Sequence, residues 1–185
     1  MQKSAHGEIT VKSILVIAVG PVEKAILEYV AARTEEFLPA RAETGHEVPV
    51  PEGAFNARRR QCHSSVILRR LEAIRRQGGY DRIVGITTED LYVPQLNYVF
   101  GEAGVMAGVA VTSIARLRQE FYGLRADTSL LNLRALKETV HELGHTYGLD
   151  HCANHLCIMY FSNSIRDTDR KGPGFCGVCT ETLGI

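Results

Sequence analysis

One eleven-residue stretch, His141–His151 (HELGHTYGLDH), carries a strong local structural signal. Residues four apart on an α-helix lie one turn apart on the same face, so His141 and His145 can direct their imidazole rings to a common point. A glycine at position 148 can adopt positive φ, end the helix and reverse the chain. That reversal can bring His151 back toward the two helical histidines. The stretch therefore predicts a helix that ends near Gly148, with three converging imidazoles.

These histidines and Glu142 form a candidate catalytic site. Three neutral imidazoles leave the fourth position of a tetrahedral zinc ion open, as in catalytic zinc sites, and zinc lowers the pKa of a bound water to about 7. Glu142 adjoins a ligand but projects in another direction, so we predict that it is the general base. It would take the proton of the zinc-bound water and pass it to a leaving amine. The alternative is a surface cluster of histidines that binds no metal.

A second metal site is predicted from the cysteines that follow. Two close pairs separated by a loop are the usual arrangement of a tetrahedral zinc site with four thiolates. The four cysteines are Cys152, Cys157, Cys176 and Cys179. Two disulfides or a redox CxxC pair are the alternatives, although no thioredoxin-like βαβ pattern surrounds Cys176. His155 could replace one cysteine as a ligand, and Cys62 is expected to be a small buried hydrophobic residue.

The motifs together resemble the archaemetzincin family of zinc peptidases. The similarity lies in HELGHTYGLDHC, in Cys157-Ile158-Met159, in the CGVC of 176–179 and in Gly85–Ala103 (GITTEDLYVPQLNYVFGEA). The longer histidine motif followed by a methionine turn is the metzincin signature. The resemblance implies that His141, His145 and His151 bind catalytic zinc, that Glu142 is the base, and that the four cysteines bind a second, structural zinc. It also implies that Met159 forms the Met-turn and that a cleft separates two parts of the chain.

Composition narrows the remaining possibilities. The 185 residues are 45% hydrophobic, and 21 basic residues balance 21 acidic ones. This balance gives no electrostatic reason to expect nucleic acid or an anionic membrane as a partner. The arginines at 58–60, 69–70 and 75–76 could suggest a nucleic-acid patch but are expected to form a solvated helix face.

We predict a cytoplasmic monomer, because cysteines with metal-type spacing fit a reducing compartment and Ser13–Gly20 is better explained as a buried strand than as a signal core.

Hydrophobic periodicity predicts an α/β (α+β) fold with a metzincin-like mixed sheet, two long helices and a small irregular C-terminal subdomain held by the four-cysteine zinc. Residues 1–12 are predicted to be a polar lead-in. The elements expected after it are a strand at 13–20, a helix to about Arg33, and a loop over 38–57 with a short extended piece near Val48 and Val50. A helix over 55–77, a strand at 80–87, a hairpin of 98–101 and 105–114 joined through 101–104, and a helix from Asp127-Thr128 to about Tyr147 are expected to follow. We expect one catalytic domain, 1–185, made of an N-terminal subdomain (1–148) and a C-terminal subdomain (149–185) with little regular structure.

The predicted function is zinc-dependent hydrolysis of peptide bonds, with two zinc ions per chain and a peptide as the substrate. The peptide is expected to pair with an exposed edge strand, for which Val105–Thr112 is the candidate. A catalytically silent, zinc-stabilised peptide-binding adaptor is the alternative, and a thiol redox protein is a further one. An intact Glu142 argues against the adaptor, since a scaffold needs only the metal ligands.

Overall fold

A computed structural model describes residues 12–185, so nearly all of the predicted lead-in lies outside the described residues. The strands are β1 (Lys12–Ala18), β2 (Ala40–Thr44), β3 (Phe55–Asn56), β4 (Gln61–His63), β5 (Arg82–Thr87), β6 (Leu91–Tyr92), β7 (Gly101–Gly104) and β8 (Val109–Ser113). The helices are α1 (Lys24–Thr34), α2 (Ser64–Gly78), α3 (Thr128–Thr146), α4 (Ile165–Arg170) and α5 (Gly177–Leu183), with short 3-10 turns at Ala115–Leu117 and Gln119–Tyr122.

The main sheet has five strands in the order β2-β1-β5-β8-β7. All neighbours are parallel except β7, which pairs antiparallel with β8 and forms one edge of the sheet. Alternate residues of a strand face opposite sides of a sheet. In β1, Ile14 and Val16 accordingly pack against α1 and α3, whereas Leu15 and Ile17 pack against α2. The prediction of a mixed α/β fold is confirmed.

Helix α3 lies across the sheet and carries the histidine motif. Its N-terminus is where Asp127 predicts it, and the Asp127 carboxylate accepts a hydrogen bond from the backbone N–H of Leu130 (2.9 Å). The helix packs against β7 and β8 on one side and against the C-terminal segment on the other. The motif is therefore held between the sheet edge and the last part of the chain.

Two predicted elements near the N-terminus have different bounds or content in the structure. The predicted loop over 38–57 contains β2, an edge strand whose mostly exposed residues lack the apolar alternation that would have revealed it. The predicted helix over 55–77 begins only at Ser64, because residues 55–63 form β3, a turn at 57–60 and β4. Strand β4 pairs with the distant β6, with Cys62 opposite Leu91, and a pairing over this separation leaves no trace in local periodicity. Cys62 is fully buried, as expected.

The predicted hairpin exists, but its strands are displaced. Residues 101–104, expected to be the link, form β7, and the turn lies at 105–108, where Gly108 has φ +63°. Strand β8 is an inner strand between β5 and β7. Val105–Thr112 is therefore not the edge strand, and that prediction is wrong. The last part of the chain is also more regular than predicted, because it contains α4 and α5.

None of the helices in residues 12–185 is both long enough and apolar enough to cross a membrane.

Candidate metal centres and active-site cleft

The structure brings His141, His145 and His151 together at the C-terminal end of α3. The ring centroids are 4.8 Å apart for 141 and 145, 4.8 Å for 145 and 151, and 5.3 Å for 141 and 151. Gly148 has φ +91°, and the backbone N–H of Leu149 donates to the carbonyl of Gly144 (3.1 Å). A turn of this kind returns the chain toward the helix, which is how residue 151 reaches the other two rings.

Backbone carbonyls orient the two helical histidines. The Nδ1 atom of His141 lies 2.9 Å from the carbonyl oxygen of Ile158, and that of His145 lies 2.7 Å from the carbonyl oxygen of Leu149. A carbonyl can only accept, so each Nδ1 carries the proton and each Nε2 presents a lone pair. Hydrogen bonds of this kind are typical partners of metal-binding histidines.

The geometry fits a zinc ion. Nitrogen ligands at 2.0–2.1 Å from a tetrahedral zinc lie about 3.3–3.4 Å from one another, and the Nε2 atoms of His141 and His145 are 3.2 Å apart. The potential ligand atoms of all three histidines lie within 4.8 Å of one another. These residues can hold a zinc ion with one coordination position left for a water.

Burial is the largest cause that lowers the pKa of each of the three histidines. For His141 the ammonium of Lys171 lowers the pKa further. A lowered pKa keeps the imidazole neutral at neutral pH, and the neutral form is the one that binds metal.

Glu142 lines a cavity that His141 also lines. Burial, followed by the charge of Glu138, raises the pKa of Glu142 to about 8. A divalent cation held by the histidines would lower that pKa again, since an opposite charge favours the carboxylate. Glu142 also lies directly against the backbone of Gly101 in β7. A Cβ at position 101 would come within 2.5 Å of the Glu142 Cγ atom.

Met159 lies beneath the histidine helix and is fully buried. Its close approach depends on Gly144, where a Cβ would stand 2.5 Å from the Met159 sulfur. The carbonyl of Met159 accepts the backbone N–H of Cys152 (2.9 Å), which adjoins His151. Met159 therefore connects the histidine cluster to the cysteines.

The four C-terminal cysteines form a second cluster beside the first. The sulfur atoms of Cys152 and Cys176 are 3.7 Å apart, and so are those of Cys157 and Cys179. Thiolates at about 2.3 Å from a tetrahedral zinc stand about 3.8 Å from one another, so the cluster fits a zinc ion. His155 is exposed and is not among the clustered residues.

Backbone N–H groups favour thiolates in this cluster. Asn154 donates to the Cys152 sulfur (3.4 Å) and Cys176 to the Cys157 sulfur (3.3 Å). A hydrogen bond from the backbone of Cys179 lowers the pKa of the Cys176 thiol to about 7. Burial raises the pKa of Cys157 and of Cys179, a cost that a bound cation would offset.

Two features of the cleft were not predicted from the sequence. Gly101 supports Glu142, and Glu138 forms a buried ion pair with Lys171 beside the cavity. The sequence gave only a weak indication of the Glu138 position, because Glu138 lies one turn before Glu142 on the same helix and so shares its face. Lys171 lies 33 residues farther along the sequence, and no local pattern indicated that it would contact Glu138.

Comparisons with known proteins agree with this geometry. The model of peptidase family M54 matches residues 24–184. The archaemetzincin of Methanocaldococcus jannaschii is 39% identical over 175 residues, which are 95% of this chain and 94% of that protein. The archaemetzincin of Methanopyrus kandleri is 40% identical over 163 residues, 88% of this chain and 89% of that protein.

Solved structures of two such proteins are similar to this chain over most of its length. A zinc-dependent peptidase from Methanocorpusculum labreanum superposes with a TM-score of 0.86 at 32% identity, covering 92% of this chain and 99% of that one. An archaemetzincin from Archaeoglobus fulgidus, complexed with malonate, gives a TM-score of 0.79 at 35% identity, with the same coverage of 92% and 99%.

Proposed function

Because the chain belongs to peptidase family M54, which includes the archaemetzincins, and is therefore a zinc metallopeptidase, we propose that His141, His145 and His151 hold its catalytic zinc and that Glu142 is the general base. One observation carries this proposal: Glu142 lines the same cavity as His141, whose Nε2 faces that of His145 at 3.2 Å. A base and a metal site that open onto one cavity can act on the same water.

When bound, zinc lowers the pKa of a coordinated water and polarises the scissile carbonyl. Glu142 accepts the proton that this water loses and delivers it to the amine leaving group. The surrounding protein prepares the carboxylate for this transfer, since β7 holds it in position beside the cavity. The carbonyls of Ile158 and Leu149 hold the two helical imidazoles in the tautomer that binds metal.

The peptide is proposed to lie along β7. This strand is the edge of the sheet beside α3, and its only neighbour in the sheet, among residues 12–185, is β8. An edge strand offers main-chain N–H and C=O groups to an extended peptide. Because Gly101 of β7 contacts Glu142, a peptide on this edge would pass close to the base.

The second zinc is proposed to be structural, which gives two zinc ions per chain. Thiolates occupying all four positions of a tetrahedral ion leave none for a substrate. The ion would join the segment after α3 to α5, because it connects Cys152 and Cys157 to Cys176 and Cys179. Residues 149–185 would then act as a C-terminal subdomain held by metal, next to an N-terminal subdomain of residues 1–148.

Reduced, metal-binding cysteines favour a cytoplasmic location for the chain, which we propose together with a monomeric state.

The thiol redox alternative is disfavoured because four sulfur atoms, rather than two, converge. The adaptor alternative is disfavoured by the buried carboxylate of Glu142 in the cavity, which a purely structural metal site does not need.

Cleavage of a mixed peptide library, with and without a zinc chelator, tests the proposal. Zinc content per chain should be measured on the same samples. Glu142→Gln should keep the zinc and lose cleavage, while the matched control Glu120→Gln, at an exposed carboxylate, should retain both. Cleavage that survives chelation, or that persists undiminished in Glu142→Gln, would contradict the assignment.

A further inference from the structure

The cavity beside Glu142 has a volume of about 200 Å³. A cavity needs on the order of 10 Å³ to hold one water molecule, so this one has room for an amino-acid side chain. The cavity is lined by two segments, residues 96–101 and 161–163 (its walls), and by Glu138, His141 and Glu142 of α3 (its floor). The two walls are joined by a hydrogen bond from the Tyr98 hydroxyl to the carbonyl of Asn163 (2.7 Å). The cavity is therefore lined by the proposed base and by one of the proposed metal ligands.

Glu138 contributes to the floor of this pocket, one helical turn before Glu142. Its Oε1 atom accepts hydrogen bonds from the hydroxyls of Thr168 (2.7 Å) and Ser162 (3.2 Å). The ammonium of Lys171 lies 3.1 Å from Oε1 and 3.2 Å from Oε2. Lys171 is fully buried, so the pair is a desolvated ion pair with no net charge.

Neither member of this pair is a proposed metal ligand or the proposed base. Well-packed apolar side chains of similar size often replace a buried ion pair without loss of stability. What the pair does supply is a polar floor below aromatic side chains, among them Tyr98 and Phe161. A carboxylate has about four acceptor sites, and within residues 12–185 the Oε2 atom accepts only from Lys171. Oε2 can therefore accept one more hydrogen bond.

We propose that this pocket receives one of the two substrate side chains that flank the scissile bond, and that it selects a neutral side chain ending in a hydrogen-bond donor, of the glutamine or asparagine type. This inference rests on the proposed function. The terminal amide would donate to Glu138, and its methylene groups would pack against the aromatic walls.

Other side chains fit the pocket less well. A carboxylate would lie beside Glu138 and Glu142 without a donor of its own, and like charges repel. A lysine would bring a second ammonium toward Lys171, whose charge already neutralises the floor. An apolar side chain would remove water from Glu138 and Ser162 without replacing its hydrogen bonds, which costs free energy.

Peptides that differ only in one flanking residue test the proposal. Glutamine, methionine and glutamate have nearly the same length, so they vary the end group at constant reach, and lysine adds a cation. On the zinc-loaded enzyme we expect kcat/KM for glutamine to exceed that for methionine by about tenfold or more, at one of the two flanking positions, with glutamate and lysine lower still. Equal rates at both positions, or a preference for methionine or glutamate, would overturn the inference.

A double variant assigns the preference to the ion pair. Glu138→Met with Lys171→Met removes both charges, whereas Glu138→Gln alone would leave Lys171 buried without a counter-charge. The double variant should keep its zinc and favour the methionine peptide over the glutamine peptide. Arg134→Met with Asp169→Asn is the control, because that ion pair joins α3 to α4, the helix that ends just before Lys171, and neither residue lines the pocket. The control should keep the preference for glutamine.

Calorimetric titration of the same peptides into zinc-loaded Glu142→Gln separates selection from hydrolysis. Tighter binding of the glutamine peptide without cleavage by the wild-type enzyme would contradict the proposed hydrolysis but support the pocket. Cleavage of all peptides at equal rates would overturn the pocket and leave hydrolysis intact. Should the double variant fail to fold, Ser162→Ala, which removes a polar group of the floor, should at least halve the ratio of glutamine to methionine cleavage; an unchanged ratio would count against the inference.

Discussion

The carboxylate of Glu142 rests against the backbone of Gly101, so closely that a Cβ at position 101 would stand 2.5 Å from Cγ and 2.7 Å from Oε1 of Glu142. A strand at the sheet edge thus sets the position of a residue on the neighbouring helix. The relationship links the edge on which the peptide is proposed to lie with the proposed base.

Replacing Gly101 with alanine should displace the Glu142 carboxylate. We expect kcat to fall about 100-fold, since a misplacement of about 1 Å has costs of this size, while zinc content stays unchanged. Gly104→Ala on the same strand is the control for a steric disturbance of β7 and β8 alone, because its Cβ would come within 2.9 Å of Val109 Cγ2 but would meet no atom of Glu142. Steady-state kinetics with metal analysis would check both variants, and a Gly101→Ala enzyme of normal activity would contradict the proposed support.

Gly144→Ala should destabilise the chain, because its Cβ would stand 2.5 Å from the sulfur of Met159. Overpacking of this kind costs about 1–3 kcal/mol, although alanine is otherwise preferred to glycine in a helix. Chemical denaturation should show this loss for Gly144→Ala and partial recovery on adding Met159→Ala. Gly177→Ala, whose added methyl meets no atom within 4 Å, should not lower stability. An additive double variant would exclude the steric explanation.

Cys152→Ser should weaken both metal sites. Cys152 adjoins His151, and its N–H donates to the carbonyl of Met159, so a disturbed cysteine cluster should misplace the third histidine. Loss of an outer partner typically lowers metal affinity 10- to 100-fold, and we expect at least about tenfold for the catalytic zinc, along with reduced thermal stability. Competition with a chromogenic chelator measures the affinity. Cys62→Ser, outside both clusters, should leave two bound zincs, and unchanged affinities in Cys152→Ser would refute the coupling.

Acid should release the catalytic zinc. Burial lowers the pKa of each histidine, so protons compete less well for the ligand nitrogens than they do in free imidazole. Zinc should stay bound at pH 7 and dissociate as the pH falls below about 6.5, the ordinary pKa of histidine. The free energy of unfolding should change in the same direction. Histidines whose pKa is lowered in the folded chain contribute stability above about pH 6.5, and this stability is lost on acidification. Zinc occupancy from pH 7.5 to 4.5 checks this, with the exposed His155→Gln as the control. Complete loss of zinc above pH 7 would contradict it.

Local sequence determined the parts of this protein that depend on neighbouring residues. The spacing of His141 and His145 follows from the helical repeat, Asp127 marks the start of that helix, and Gly148 marks the turn after it. The two pairs of cysteines likewise indicated their own cluster. For the helix and its turn the interacting groups lie within a few residues, so local backbone geometry brings them together, whereas the two cysteine pairs meet each other only through the fold.

Only the tertiary structure decided which distant residues meet these groups. Gly101 reaches Glu142, and Lys171 reaches Glu138, through the packing of the sheet edge and the C-terminal segment onto α3. Hydrophobic periodicity likewise could not identify β2 or show that β7 is an edge of the sheet. Both depend on which strands pair, and that pairing leaves no apolar pattern in the strand itself. Contacts between residues far apart in sequence depend on how whole elements pack, and no local repeat encodes that packing.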